Sequence, residues 1–160
     1  MADRKACIWV LAGTNGAGKS SVAGATLRAK GSVYYNPDEA AREYRTARPQ
    51  ASVEGANGAA WELGRQMLAR AIRDGLEYVF ETTLGGNTIP AMLEQASAAG
   101  HEVHIWFTGL GSVELHLERV RQRVLQGGHD IPPETIRHRY KQGLLNLIRL
   151  MPGLTSLRGG

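Results

Sequence analysis

Near its amino terminus the chain carries an apolar run at residues 6–12, ACIWVLA, and continues directly into GTNGAGKS at residues 13–20. A short, continuous apolar run is typical of a strand that is buried on both faces of a parallel sheet. The second stretch fits the Walker A pattern G-x-x-x-x-G-K-[ST] at every fixed position, and a helical pattern follows at residues 19–29. Strand, glycine loop and helix in this order predict a loop that binds the phosphates of a nucleotide.

The predicted loop would bind phosphate through its backbone, because glycines allow a tight path in which successive N–H groups point inward. The start of the following helix adds free amides and the positive end of its dipole. Lys19 is expected to reach the terminal phosphates, and the hydroxyl of Ser20 to take a Mg²⁺ coordination position. The residues expected to bind the nucleotide are Gly13, Thr14, Asn15, Gly16, Ala17, Gly18, Lys19, Ser20 and Ser21.

The rest of the chain alternates strand and helix patterns. Strands are predicted at residues 32–35, 78–81 and 102–108, and helices from residue 36 and at 53–74, 88–99, 112–125 and 134–151. The helix that Asn36 caps is expected to be lost between residues 42 and 49, because Pro49 disfavours helical geometry at Arg48. The alternation predicts an α/β fold, a three-layer α/β/α sandwich with a mostly parallel sheet of order 2-3-1-4. No linker interrupts residues 1–160, which predicts a single domain.

Charge and composition limit the classes of partner that the sequence predicts. The formal charge of +4 is carried mostly by arginine, whose planar guanidinium matches phosphate oxygens. No polybasic run with interleaved aromatics is present, so nucleic acid is not the expected partner. No apolar run approaches the ~20 residues of a bilayer span, so a cytoplasmic protein without a membrane partner is expected. The single cysteine, Cys7, is expected to be a small core residue.

Two carboxylates follow predicted strands at the edge of the sheet where ligands bind in open α/β folds. Asp38 lies just past the second strand, and Glu81 ends the third. A kinase needs one carboxylate to orient the acceptor hydroxyl and take its proton, and another to organise Mg²⁺ or its waters. The alternative for Asp38 is an acid that stabilises the first turn of a helix. The alternative for Glu81 is a cap on the loop that follows it.

Two arginines, Arg119 and Arg123, share a face of the predicted helix at residues 112–125. The helix leads into a glycine-rich turn, and residues 119–139 are therefore predicted to form a lid. Cations on such a lid can neutralise charge that develops during phosphoryl transfer. A solvated basic face is the alternative for each arginine. His129 is expected to make a contact of the turn or of the lid rather than to act as a base, and no metal ligands at suitable spacing accompany it.

Taken in order, five stretches resemble zeta-toxin-like P-loop kinases, in particular the short bacterial members. These stretches are AGTNGAGKSS at residues 12–21, NPDE at 36–39, ETTL at 81–84, RVRQRV at 119–124 and GGHDIP at 127–132. The resemblance implies an ATP- or GTP-dependent kinase that needs Mg²⁺. Better-known members phosphorylate a sugar hydroxyl of UDP-N-acetylglucosamine and are held in check by an antitoxin protein.

Carried over residue by residue, the resemblance assigns Lys19 and Ser20 to nucleotide and Mg²⁺ and Asp38 to the catalytic base. It assigns Glu81 and Thr83 to the acceptor substrate, and it makes either Arg119 or Arg123 the cationic group of the lid. The sequence departs from the family pattern in two places. Gly85, Gly86 and Asn87 stand where a toxin has an arginine, which leaves the acceptor open. The sequence also stops soon after the last predicted helix, so the family's additional strand is expected to be missing.

A second function remains open from the residues alone. A nucleotide-binding switch or NTPase would hydrolyse nucleotide without an acceptor and act through a protein partner. The sequence shows no water-positioning motif after the third predicted strand, which favours the kinase.

Overall fold

The computed structural model describes residues 4–13, 33–108, 118, 121–122, 124–126 and 132–159. Within these residues one sheet has the strand order β2-β3-β1-β4-β5, and all of its pairings are parallel. The strands are β1 (Cys7–Ala12), β2 (Val33–Tyr35), β3 (Glu77–Thr82), β4 (Glu102–Phe107) and β5 (Ser156–Gly159). The helices are α1 (Pro37–Ala47), α2 (Val53–Asp74), α3 (Thr88–Ala98) and α4 (Pro133–Leu150), and a 3₁₀ turn at Met151–Gly153 follows α4.

The predicted α/β class and the strand order 2-3-1-4 are confirmed, but the prediction of a missing fifth strand is wrong. After the 3₁₀ turn, Thr155 N–H donates to the carbonyl oxygen of Val103 at 2.8 Å, and Val103 N–H donates to the Thr155 hydroxyl at 3.1 Å. These bonds bring β5 alongside the free edge of β4. Sequence pattern did not reveal β5, because it is four residues long and mostly exposed, without the apolar run of a buried strand.

Helix α1 begins as predicted but ends later. The side chain of Asn36 accepts hydrogen bonds from the N–H groups of Asp38 and Glu39, at 2.9 and 3.4 Å. The helix was expected to be lost from residue 42, yet it continues to Ala47. Pro49 keeps only its immediate neighbour out of helical geometry: Arg48 has φ −133° and ψ 79°. Ala41 packs against Ala56 and Ala60 of α2, and this contact stabilises the additional turn.

Alternating residues of the strands build two different faces. One face carries the main core, where Ile8, Val10 and Ile105 pack with Leu68 of α2, Leu93 of α3 and Leu147 of α4. The opposite face carries Leu11 and Val79, with Trp9, Tyr34 and Trp106 partly buried around them. Leu11 pairs with Glu81 and with Trp106, so the second face also contains the carboxylate expected at the site.

Candidate functional site

The carboxyl ends of three neighbouring strands lie level with one another. Ala12, the last residue of β1, pairs with Thr82 of β3 and with Phe107 of β4. The next residue, Gly13, donates its N–H to the carbonyl oxygen of Thr82 at 3.2 Å, and its φ of 149° lies in the region that favours glycine. Gly13, the first residue of the predicted glycine loop, therefore lies beside the end of β3.

Much of the predicted nucleotide site lies outside the described residues. Residues 14–21, which include Lys19 and Ser20, belong to that part, as do Arg119, Arg123 and His129. Residues 118, 121, 122, 124 and 125 are helical, in agreement with the predicted helix that carries the two arginines. Arg121 forms an exposed ion pair with Glu118 at 3.3 Å. Such a pair contributes little to stability.

Glu81 is a buried carboxylate, with 4% of its surface exposed. It lies on the face of the sheet that also carries Tyr34, because Tyr34 pairs with Val79, two residues before Glu81. The Tyr34 hydroxyl donates a hydrogen bond to Glu81 Oε2. A buried carboxylate needs such partners, since an uncompensated charge away from water is costly. The bond also fixes the direction in which the carboxylate points.

Asp38 lies at the end of the neighbouring strand. Tyr35 of β2 pairs with Phe80 of β3, so the segment that enters α1 runs beside Glu81. The Asp38 side chain is exposed, and no hydrogen bond or ion pair joins its carboxylate to the described residues. The capping function belongs to Asn36, whose side chain accepts from the first N–H groups of α1. Among the described residues, the carboxylate of Asp38 therefore has neither the capping function nor an ion-pair partner.

The loop after β3 carries Thr83, the second residue assigned to the acceptor. Leu84 N–H donates to the Thr82 hydroxyl at 3.0 Å, and Leu84 is fully buried with a φ of 60°. This left-handed conformation is unusual for leucine and requires support from its surroundings. The support comes from α4.

Asn146 of α4 donates from Nδ2 to the carbonyl oxygens of Leu84 and Gly86, at 2.7 and 3.0 Å. One turn earlier, Gly143 brings the α4 backbone so close that a Cβ there would lie 2.8 Å from the carbonyl oxygen of Thr83. Sequence reasoning missed both residues. A lone asparagine within the apolar stretch LLNLI at residues 144–148 was the available signal, because a buried amide requires partners.

Two carboxylates of different character therefore lie near the carboxyl ends of the neighbouring strands β2 and β3. The exposed one, Asp38, suits the binding and deprotonation of a hydroxyl. The buried one, Glu81, is held by Tyr34 and suits recognition of donor groups on a ligand. None of the helices in the described part of the chain is both long and apolar enough to span a bilayer.

Comparison with known proteins places the chain in a family. The sequence model of the Zeta toxin family matches residues 2–150. A Haemophilus influenzae protein described only as uncharacterized is 30% identical over 131 residues, which span 80% of this chain and 88% of the relative.

Solved structures share the fold. A proposed kinase of Chloroflexus aurantiacus superposes with a TM-score of 0.68 at 12% identity, over 99% of this chain and 86% of the other. A structure from the PezAT chromosomal toxin–antitoxin system of Streptococcus pneumoniae gives a TM-score of 0.63 at 16% identity, over 99% and 70%. Shikimate kinase from Acinetobacter baumannii gives a TM-score of 0.51 at 17% identity, over 96% of this chain and 82% of the other. The chain belongs to the zeta toxin family and has the fold of the P-loop kinases, which supports a phosphotransferase.

Proposed function

We propose that this protein is a kinase that transfers the γ-phosphate of ATP, or of GTP, to a hydroxyl group of a small acceptor. The observation that carries the proposal is the common location of three features at one edge of the sheet. These features are the start of the glycine loop at Gly13, the exposed carboxylate of Asp38, and the segment that runs from Glu81 to Thr83. Phosphate donor and acceptor would meet at this edge.

Each residue has a proposed task. Lys19 and the loop backbone bind the phosphates, and Ser20 holds the Mg²⁺ that neutralises their charge. Asp38 orients the acceptor hydroxyl and takes its proton. Arg119 or Arg123, on the proposed lid, stabilises the charge of the transferred group. In this arrangement catalysis depends mainly on position and charge, as is general for phosphoryl transfer.

The proposed acceptor is a sugar nucleotide, with UDP-N-acetylglucosamine as the first candidate. Glu81 can accept hydrogen bonds from sugar hydroxyls, and Thr83 can donate or accept. Gly85, Gly86 and Asn87 provide no cation at the position where a toxin has an arginine, so related sugar nucleotides belong in the same test. Since the PezAT neighbour belongs to a toxin–antitoxin system, an antitoxin protein is the proposed regulatory partner.

The test is transfer of labelled γ-phosphate from ATP, in Mg²⁺, to UDP-N-acetylglucosamine and a panel of related sugar nucleotides. Lys19→Ala should abolish the product. Lys141→Ala removes an exposed lysine of α4 and should leave the rate unchanged, so it controls for the loss of one positive charge.

Three results would count against the proposal in different ways. A product formed equally by Lys19→Ala would exclude the glycine loop as the donor site. Binding of nucleotide without transfer to any member of the panel would reject the sugar-nucleotide acceptor. Hydrolysis of ATP without transfer would favour the alternative, an NTPase that acts through a protein partner.

A further inference from the structure

A second cluster of chemically active side chains lies at the opposite end of the sheet. Cys7 begins β1 and pairs with Glu102, which begins β4. His104 is two residues further along β4, so it shares a face with Glu102 and with Cys7. The Cys7 Sγ, a carboxylate oxygen of Glu102 and a ring nitrogen of His104 all lie within 4.8 Å of one another. The side chain of Cys7 is only half-buried, so Cys7 is not the buried core residue that the sequence predicts.

The imidazole of His104 is held in place from two sides. Its Nδ1 lies 2.6 Å from the hydroxyl of Ser156 in β5, and its ring stacks on Trp9 with 4.1 Å between centroids and 10° between planes. In the neutral tautomer whose Nδ1–H donates to Ser156, the lone pair of Nε2 is available. That atom lies 3.5 Å from Glu102 Oε1. A hydrogen-bonded outer partner of this kind is what metal-ligating histidines have in proteins.

We propose that Cys7, Glu102 and His104 form a binding site for a divalent zinc ion. Zinc takes thiolate, imidazole and carboxylate ligands, and tetrahedral bonds of ~2.0–2.1 Å to nitrogen and oxygen separate two such ligands by about 3.3 Å. The 3.5 Å between Nε2 and Oε1 is close to that separation. The thiolate ligand selects against Mg²⁺, which prefers oxygen. Three protein ligands leave the fourth position to water or to an added ligand.

The electrostatic surroundings favour a cation at the same point. Glu102 of β4 and Glu77 of β3 both pair with Cys7, so one carboxylate lies on each neighbouring strand. Carboxylates on both sides of Cys7 disfavour a bare thiolate, but they attract a metal ion that would compensate it.

The proposed zinc site lies at the end of β1 opposite to Gly13, the first residue of the predicted glycine loop. Cys7 and Ala12 stand at opposite ends of β1. Five residues of extended strand correspond to about 16 Å. The ion would join β1 to β4 and, through Ser156, would support β5 at the edge of the sheet. Its expected consequence is greater stability of the sheet.

The test is titration of the metal-free full chain with Co²⁺, the spectroscopic substitute for Zn²⁺, followed by competition with Zn²⁺. A sulfur-to-cobalt charge-transfer band that saturates at one ion per chain is expected, and Zn²⁺ should remove it. Because Cys7 is the single cysteine, any such band must come from this site. Zn²⁺ should raise the melting temperature in the absence of nucleotide, whereas Mg²⁺ should not.

Single-residue variants distinguish the proposed zinc ligands from the residues around them. Cys7→Ser should abolish the band, His104→Gln should weaken Zn²⁺ binding at least ~10-fold, and Ser156→Ala should weaken it about 10-fold through loss of the outer hydrogen bond. His138→Gln, at an exposed histidine of α4, should bind as the wild type does. The wild-type spectrum decides the question even if Cys7→Ser does not fold. Absence of the band, or equal loss of affinity in His138→Gln and His104→Gln, would overturn the proposal.

Discussion

The side-chain amide of Asn146 donates to the carbonyl oxygen of Leu84 at 2.7 Å and so connects α4 to the loop that carries Thr83. The residues lie 62 positions apart in the chain. Asn146 is buried, and the same nitrogen also donates to Gly86. The proposed acceptor loop is therefore held by a helix that contributes no residue to the proposed chemistry. The geometry of acceptor binding and the stability of the fold should depend on the same side chain.

Replacement of Asn146 by alanine should lower the free energy of unfolding by roughly 1–3 kcal/mol, because two carbonyl oxygens lose a buried donor. Leu145→Ala truncates the preceding residue of α4, which is half-exposed. It should lower the free energy of unfolding by a smaller amount. Denaturant unfolding measures both variants. An Asn146→Ala variant as stable as Leu145→Ala would show that the amide does not support the loop.

Gly143 and Gly58 provide a matched pair of glycines within helices. Gly143→Ala would place Cβ 2.8 Å from the carbonyl oxygen of Thr83, whereas a Cβ at Gly58 meets nothing within 4 Å. Gly58→Ala should therefore stabilise the protein by about 0.5–1 kcal/mol through helix propensity. Gly143→Ala should destabilise it and raise KM for the acceptor by displacing Thr83. Thermal melting and steady-state kinetics test the two effects, and equal stabilisation in both variants would contradict the close approach.

Asp38→Asn tests the proposed base. Transfer should fall by at least ~100-fold while nucleotide affinity stays nearly the same, because the amide cannot accept the hydroxyl proton. Glu43→Gln makes the same change of charge at an exposed position of α1 and should retain full activity. Single-turnover transfer and nucleotide titration separate the chemical step from binding. Full transfer by Asp38→Asn would exclude this residue as the base.

Tyr34→Phe removes the hydroxyl that donates to Glu81 and keeps the aromatic ring. We expect a higher KM for the acceptor with little change in KM for ATP, since the buried carboxylate loses a partner that directs it. Tyr44→Phe is the control, because it keeps the ring over which the Arg48 guanidinium lies, 4.2 Å from the centroid. Steady-state kinetics with each substrate varied in turn gives the comparison. If the KM for the acceptor were unchanged in Tyr34→Phe, the orientation of Glu81 by Tyr34 would not contribute to acceptor specificity.

Gly75 and Gly86 both have left-handed backbone conformations, with φ of 67° and 69°. Alanine at either position should cost about 1–2 kcal/mol for the backbone alone. A Cβ at Gly75 would in addition lie 2.6 Å from the carbonyl oxygen of Arg4, whereas at Gly86 it meets nothing within 4 Å. Gly75→Ala should therefore be the less stable variant in denaturant unfolding. Equal losses would mean that the segment at Arg4 moves aside without cost.

Local sequence determined the features that depend on neighbouring residues. The apolar run before Gly13 predicted β1, Asn36 with Pro37 predicted the start of α1, and Gly75 predicted the end of α2. These features are readable because caps, turns and periodicity involve groups within a few positions of one another. The carboxylates Asp38 and Glu81 could be placed at one edge of the sheet for a related reason, since parallel strands align their carboxyl ends.

Tertiary structure alone decided what distant residues do together. The length of α1 follows from its packing on α2, and β5 forms on the free edge of β4 despite a weak strand pattern. The hydrogen bond of Asn146 to Leu84 and the proximity of Cys7 to Glu102 and His104 depend on strand register and helix position rather than on spacing in the chain. The physical reason is that burial and hydrogen bonds depend on which residues are close in space. A sequence pattern reflects only the conformational preference of its own segment.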